Sequence, residues 1–142
     1  MLYVLDASVA IKFLLPEPLS DIAESAIAAF RSGAIELIAP DIISAEVGHG
    51  LRRHVLKDDL STDGWFDAIA DYLDIGVPTV SSFGLVSRAT RFSADHMGSF
   101  YDALYISLAA EQECRVLTAD EAMTRAFAKL DRTVSLEDFK AP

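Results

Sequence analysis

Leu2-Tyr3-Val4-Leu5-Asp6-Ala7-Ser8-Val9 takes a run of four strand-forming residues straight into an acid. A short apolar run stopped by Asp and Ser reads as a buried strand ending at Asp6. The same design returns at Val116-Leu117-Thr118-Ala119-Asp120, a strand over Arg115 to Thr118 that again meets an acid. Further short runs at Glu36 to Ala39, Thr79 to Val80 and Thr133 to Ser135 alternate with longer helical patterns. That alternation predicts a mainly parallel sheet of four to five strands covered by helices.

The helical segments follow from periodicity. Ser20 to Phe30 places Ile22, Ala23, Ala26, Ile27 and Phe30 at helical spacing, with Gly33 positioned to end the helix. Asp41 to Lys57 puts Ile43, Val47, Gly50, Leu51 and His54 on one face, and Glu46 shares that face. Ser61 to Leu73 and Ser81 to Arg91 read as two more helices, with Trp65 and Phe66 of the first assigned to the core. Tyr101 to Ala110 is apolar almost all round, which predicts a buried central helix carrying Asp102 in its first turn.

Composition narrows the function classes. The 142 residues suffice for one domain with a substantial core, and no repeat or linker divides them. A lone cysteine, Cys114, rules out an internal disulfide and a Cys-based metal site. The opening residues lack the basic segment of a signal peptide, and no stretch has the length of a membrane span, so a cytoplasmic protein is expected. A net charge of −10 counts against a protein that coats nucleic acid, but less against a metal-dependent nuclease, because bound divalent ions reverse the sign locally.

Four acids stand among apolar neighbours: Asp6, Glu46, Asp102 and Asp120. Uncompensated carboxylates in such surroundings are costly, and a shared cation is the simplest compensation. In an open α/β sheet, residues that follow strands collect at the carboxyl edge, where ligands bind. Asp6 and Asp120 follow strands, and Glu46 and Asp102 lie in early turns of helices that would begin at that edge. Oxygen ligands without His or Cys suit Mg²⁺, with Mn²⁺ as a substitute, and point to water activated by the ion attacking a phosphodiester. Ser8 and Thr118 are placed to orient a carboxylate or a metal-bound water.

Each acid also has a simpler explanation. Thr118-Ala119-Asp120-Glu121 is a capping box, and Asp6 with Ser8 would serve as a strand-to-helix cap. Glu46 could pair with Arg52, Arg53 or Lys12, and Asp102 could merely satisfy a helix dipole. His49, His54 and His96 show no zinc-type spacing. Near an acidic metal site, Arg52, Arg53, Lys57, Arg88 and Arg91 become candidate contacts for RNA phosphates.

Taken in order and spacing, Leu5-Asp6-Ala7-Ser8-Val9, Ala39-Pro40 to Ser44-Ala45-Glu46-Val47, Tyr101-Asp102-Ala103-Leu104-Tyr105 and Val116-Leu117-Thr118-Ala119-Asp120 resemble the PIN-domain ribonucleases, most closely the VapC-type toxins. The resemblance covers essentially the whole chain. It implies a three-layer α/β/α PIN-like nuclease domain over residues 1–142. It further implies a Mg²⁺-dependent endoribonuclease, the toxin of a toxin–antitoxin pair, with Asp6, Glu46, Asp102 and Asp120 as catalytic metal ligands supported by Ser8 and Thr118. An RNA substrate, a VapB-like antitoxin and a homodimer are the partners it implies.

The chain departs from that pattern at His49, where relatives often carry Asn, and His49 is flanked by Gly48 and Gly50. Two glycines inside a helix cost about 1 kcal/mol each relative to Ala, which predicts close backbone packing or a local distortion beside Glu46. Two alternatives stay open: a non-catalytic PIN-like interaction module and a stand-alone PIN nuclease without an antitoxin. A phosphoacceptor or phosphatase domain fits less well, since no second acid follows Asp6 by two residues.

Overall fold

Val4 and Leu5 are fully buried because β1 (Leu2–Leu5) is the middle strand of the sheet. The computed structural model describes residues 1–142. After β1 come helices α1 (Ala7–Leu14) and α2 (Ser20–Arg31), β2 (Glu36–Pro40), α3 (Ile43–Leu56), α4 (Thr62–Ile75) and β3 (Thr79–Val80). A 3₁₀ turn at Ser82–Leu85 leads into α5 (Val86–His96), α6 (Phe100–Glu111), β4 (Arg115–Thr118), α7 (Glu121–Ala126) and β5 (Thr133–Ser135).

The five strands are all parallel, in the order β3-β2-β1-β4-β5. Val4 pairs with Ile38 on one side and Val116 on the other. Right-handed crossovers then place α1 to α4 on one face and α5 to α7 on the other. Helix contacts divide the same way, with α1, α3 and α4 packing together and α5 packing on α6. The fold is a three-layer α/β/α arrangement whose parallel, helix-covered sheet is the one the alternation of elements predicts. Strand order reverses at β1, so the crevice between the ends of β1 and β4 is the topological switch point.

α6 is the buried helix of the structure: Ala103 through Ala109 are all inaccessible to solvent or nearly so. Its Ser99 cap and the preceding Gly98 set where its first turn lies. A Cβ on Gly98 would come within 2.3 Å of the buried Phe127 ring. The absence of a side chain there therefore lets the start of α6 approach the end of α7.

Several boundaries differ from the periodicity, each for a local reason. α3 begins at Ile43 rather than Asp41, because the Asp41 N–H still bonds to Val80 O across the sheet at 2.8 Å. The segment Ser81 to Arg91 divides into the 3₁₀ turn and α5, and α5 continues to His96, where Met97 takes a left-handed conformation at φ 54°. α1 and α7, at 8 and 6 residues, are too short for a strong periodic signal. Phe66 is 72% exposed, not core, while its neighbour Trp65 packs against the core. Adjacent helical positions point about 100° apart, so the core takes only one of them.

The glycine pair in α3 also separates. Gly50 is buried, and a Cβ there would meet Ile11 Cδ1 at 2.3 Å, so its bareness admits α1. Gly48 has open space around its missing side chain, and α3 runs through both without interruption.

Gly98→Ala forces the Phe127 ring or the α6 entry to shift. A loss of about 1–3 kcal/mol is expected, read as a lower urea midpoint with an unchanged m-value.

Candidate functional site

Asp6 extends the β1–β4 pairing, its N–H bonding to Leu117 O at 3.1 Å. It occupies the cap position of α1, yet its side chain makes no capping bond. Instead, buried at 5% exposure, its Oδ2 accepts hydrogen bonds from Ser8 Oγ and from Thr118 Oγ1, the latter at 2.7 Å. Both hydroxyls also accept from the backbone after β4: Ala119 N–H to Ser8 Oγ and Asp120 N–H to Thr118 Oγ1, each at 2.9 Å. These acceptances direct both hydroxyl protons at Asp6, so of the two roles their position allows, the hydrogen bonds of Ser8 and Thr118 are to a carboxylate.

Asp120 is the true N-cap of α7. Its Oδ1 accepts from Ala122 N–H at 2.8 Å and Met123 N–H at 3.1 Å. The Thr118-to-Glu121 capping box therefore does not form, because Thr118 is turned toward Asp6 and capping falls to Asp120.

Glu46, half-buried in the first turn of α3, accepts a hydrogen bond from Tyr105 Oη at 2.5 Å. It forms no ion pair with Lys12, Arg52 or Arg53. Lys12 bonds to Glu17 instead, at 3.4 Å. Asp102 stands in the first turn of α6, and its N–H reaches Ser99 Oγ at 3.4 Å while its carboxylate takes no protein donor.

None of the six ion pairs in the structure involves any of these four acids. Their charges are felt mutually. Asp102 is pushed up to about 7, first by burial and then by the charges of Asp120, Asp6 and Glu46. Burial also raises Asp6, opposed by the Ser8 and Thr118 hydrogen bonds and reinforced by Asp120. Glu46 is raised by burial, which outweighs the Tyr105 hydrogen bond, with Asp6 adding to the rise. The Tyr105 hydroxyl is raised by burial and by the Asp6 and Glu46 charges, so it stays a donor.

No three Asp, Glu, His or Cys side chains stand together as a finished metal cage. Asp6 Oδ1, Glu46 Oε1, Asp120 Oδ2 and both Asp102 oxygens nevertheless have no protein donor. All-oxygen donors of this kind fit a Mg²⁺-like ion, which keeps several waters and needs only one or two carboxylates directly.

A model of the PIN domain matches residues 3–130, nearly the full chain. The chain belongs to the PIN-domain family. Within it, this PIN domain is of the VapC type. It is 36% identical over 91 residues to Ribonuclease VapC1 of Mycobacterium tuberculosis, a match covering 62% of this chain and 65% of that protein, slightly under two thirds. It is 32% identical over 117 residues to Ribonuclease VapC9 of the same species, covering 82% of this chain and 84% of the relative. A VapC ribonuclease of Mycobacterium bovis matches equally.

The basic candidates of this PIN domain fall into two groups, Arg52, Arg53 and Lys57 at the end of α3 and Arg88 and Arg91 on α5. Arg53 lines a depression with Glu46, His49 and Tyr101. Arg88 instead bonds to Ser107 O at 3.4 Å and sits 4.0 Å from Glu111. Those partners lie roughly 7–13 Å along α6 from Asp102. Arg52 and Arg91 are exposed on α3 and α5. Tyr105 escaped the sequence reading as a site residue. Its signal was a tyrosine three residues after Asp102 in a helix with no exposed face, where a hydroxyl needs a partner. His54 is satisfied between Glu17 and Asp59, and His96 packs against Phe92 and Phe127.

A carboxyl raised on folding holds a proton in the native state that the unfolded chain has released, so its contribution falls as pH rises between roughly 4 and 7. Chelator-treated protein is expected to lose thermal stability across that window. Asp102→Asn should flatten the loss, measured as melting temperature against pH. Tyr105→Phe removes the bond to Glu46 and should cost about 1–2 kcal/mol by urea denaturation, because water can still reach the half-buried carboxylate.

Proposed function

We propose that this chain is a Mg²⁺-dependent endoribonuclease and the toxin of a toxin–antitoxin pair. The observation that carries the reading is Asp6 and Asp120 at the ends of β1 and β4, with Glu46 and Asp102 near enough to feel their charges and none of the four in an ion pair. The names of the relatives support it, since VapC1 and VapC9 are ribonucleases. When bound, a divalent ion would neutralise the carboxylates, polarise a phosphoryl oxygen and lower the pKa of water.

The chain's own groups divide the work. Asp6 is the fixed ligand, locked by two hydroxyls and the end of β1. Glu46 is held at one oxygen by Tyr105, and Asp120 at one oxygen by the α7 backbone, so each offers the other. Asp102 is unrestrained by hydrogen bonds, and burial together with the charges of Asp120, Asp6 and Glu46 favours its protonated form, so a nearby cation would stabilise its carboxylate.

A VapB-like antitoxin and a second copy of this chain are the protein partners in this reading. Exposed Phe83, Met97, Phe100 and Tyr101 give it apolar surface for them. No helix is long and apolar enough to cross a membrane.

Asp6→Asn and Asp102→Asn should each lower Mg²⁺-dependent RNA cleavage about 100-fold or more while leaving circular dichroism and melting unchanged or improved, since removing a ligand forfeits several kcal/mol of charge stabilisation. Undiminished cleavage by both variants would refute the assignment.

A further inference from the structure

Arg53 is shared by two adjoining depressions. The first, about 500 Å³, is lined by Ile42, Ala45, Glu46, His49, Arg53 and Tyr101. The second, about 370 Å³, continues past Arg53 along Gly50 and His54 of α3 and Lys57 at its end, and reaches Ser8, Ile11 and Lys12 of α1 and Glu17 beyond it. Ser8 bonds directly to Asp6, so both depressions border the acid cluster. On α3, Glu46, Gly50, Arg53 and Lys57 follow one another at spacings of three and four, a single stripe running from acid to base.

The charges within this trough are unevenly committed. Glu17 is engaged by Lys12 at 3.4 Å and His54 at 3.0 Å, and Asp59 takes the other His54 nitrogen at 2.8 Å. Arg53 and Lys57 have no carboxylate partner, although the protein carries a net charge of −10. Gly50 lets the Ile11 side chain close in against α3 beneath Arg53, so the floor of the trough there is apolar. Tyr101, 60% exposed, stands at the Glu46 end with its ring free to stack.

We propose that this trough is the track for single-stranded RNA, with Arg53 and Lys57 binding phosphates on one side of the cut and Tyr101 stacking a base beside the acids. The proposal rests on the nuclease reading and selects Arg53 and Lys57 over Arg88 and Arg91. Unpaired cations that lead away from an acidic cluster draw the flanking phosphates of a strand whose scissile group lies at the acids, and an exposed aromatic accepts any base by its face.

The test uses the full chain carrying Asp6→Asn, which keeps RNA intact, and a fluorescein-labelled single-stranded RNA. Anisotropy is followed over a NaCl series at fixed low Mg²⁺. Adding Arg53→Ala with Lys57→Ala should weaken binding about tenfold or more and flatten the log K against log salt slope by about 0.7 for each phosphate no longer neutralised. Tyr101→Ala should cost about tenfold and Tyr101→Phe little. Arg88→Ala with Arg91→Ala should change neither affinity nor slope. An unchanged slope in the Arg53 and Lys57 variant, or a larger loss in the Arg88 and Arg91 variant, would overturn the track while leaving the nuclease reading intact. Loss of binding to a labelled polyglutamate peptide with RNA binding retained would reassign the trough to an acidic polypeptide. If the Asp6→Asn parent binds no RNA at all, the nuclease reading falls and the track with it.

Discussion

Burial of the Asp6 carboxylate at the end of the central strand is the constraint around which the other parts are arranged. A charged group with 5% exposure survives only if its oxygens are met by donors, and here two hydroxyls from different strand ends meet one of them. Those hydroxyls are in turn fixed by backbone N–H groups of Ala119 and Asp120. The arrangement ties β1 to β4 at the one place where a parallel sheet opens a crevice, and it makes Thr118, a fully buried threonine, part of the site.

The remaining acids are brought to that point by helix termini, and their proximity works against the fold. Asp102, Glu46 and Asp6 all have their protonated forms favoured, chiefly through burial and further through the charges of the neighbouring acids, Asp120 among them. No arginine or lysine relieves them. Such a concentration of uncompensated charge is retained at binding sites, where a ligand of opposite sign recovers the cost. The buried helix α6 supports the cluster mechanically. It delivers Asp102 in its first turn, and one turn later Tyr105 reaches Glu46 across the carboxyl edge of the sheet.

Much of the fold was legible because the strands are short apolar runs with clear stops. Leu2–Leu5, Thr79–Val80, Arg115–Thr118 and Thr133–Ser135 stand where the runs place them. Helix ends were less legible, since Asp41 keeps its place in the sheet by a bond to Val80 that no local pattern announces. Phe66 and Trp65 look equally apolar in sequence, and only the orientation of α4 sends one outward. The four acids were visible as acids out of place. The division of labour among them was not, because capping by Asp120, the hydroxyl pair on Asp6 and the tyrosine on Glu46 are contacts between distant segments.

What the sequence determined by itself was the family and the residue types on offer: acids at strand and helix ends, no thiol or imidazole set, and the PIN-type order of motifs. Periodicity and residue type suffice for that, since both are local. Only the tertiary structure decided how the cations are placed, leaving Arg53 on the depression that Glu46 also lines and turning Arg88 toward the far half of α6. The physical reason is that charges interact through space over a few ångströms, and the distance between two side chains is set by the packing of helices on a sheet rather than by their separation along the chain.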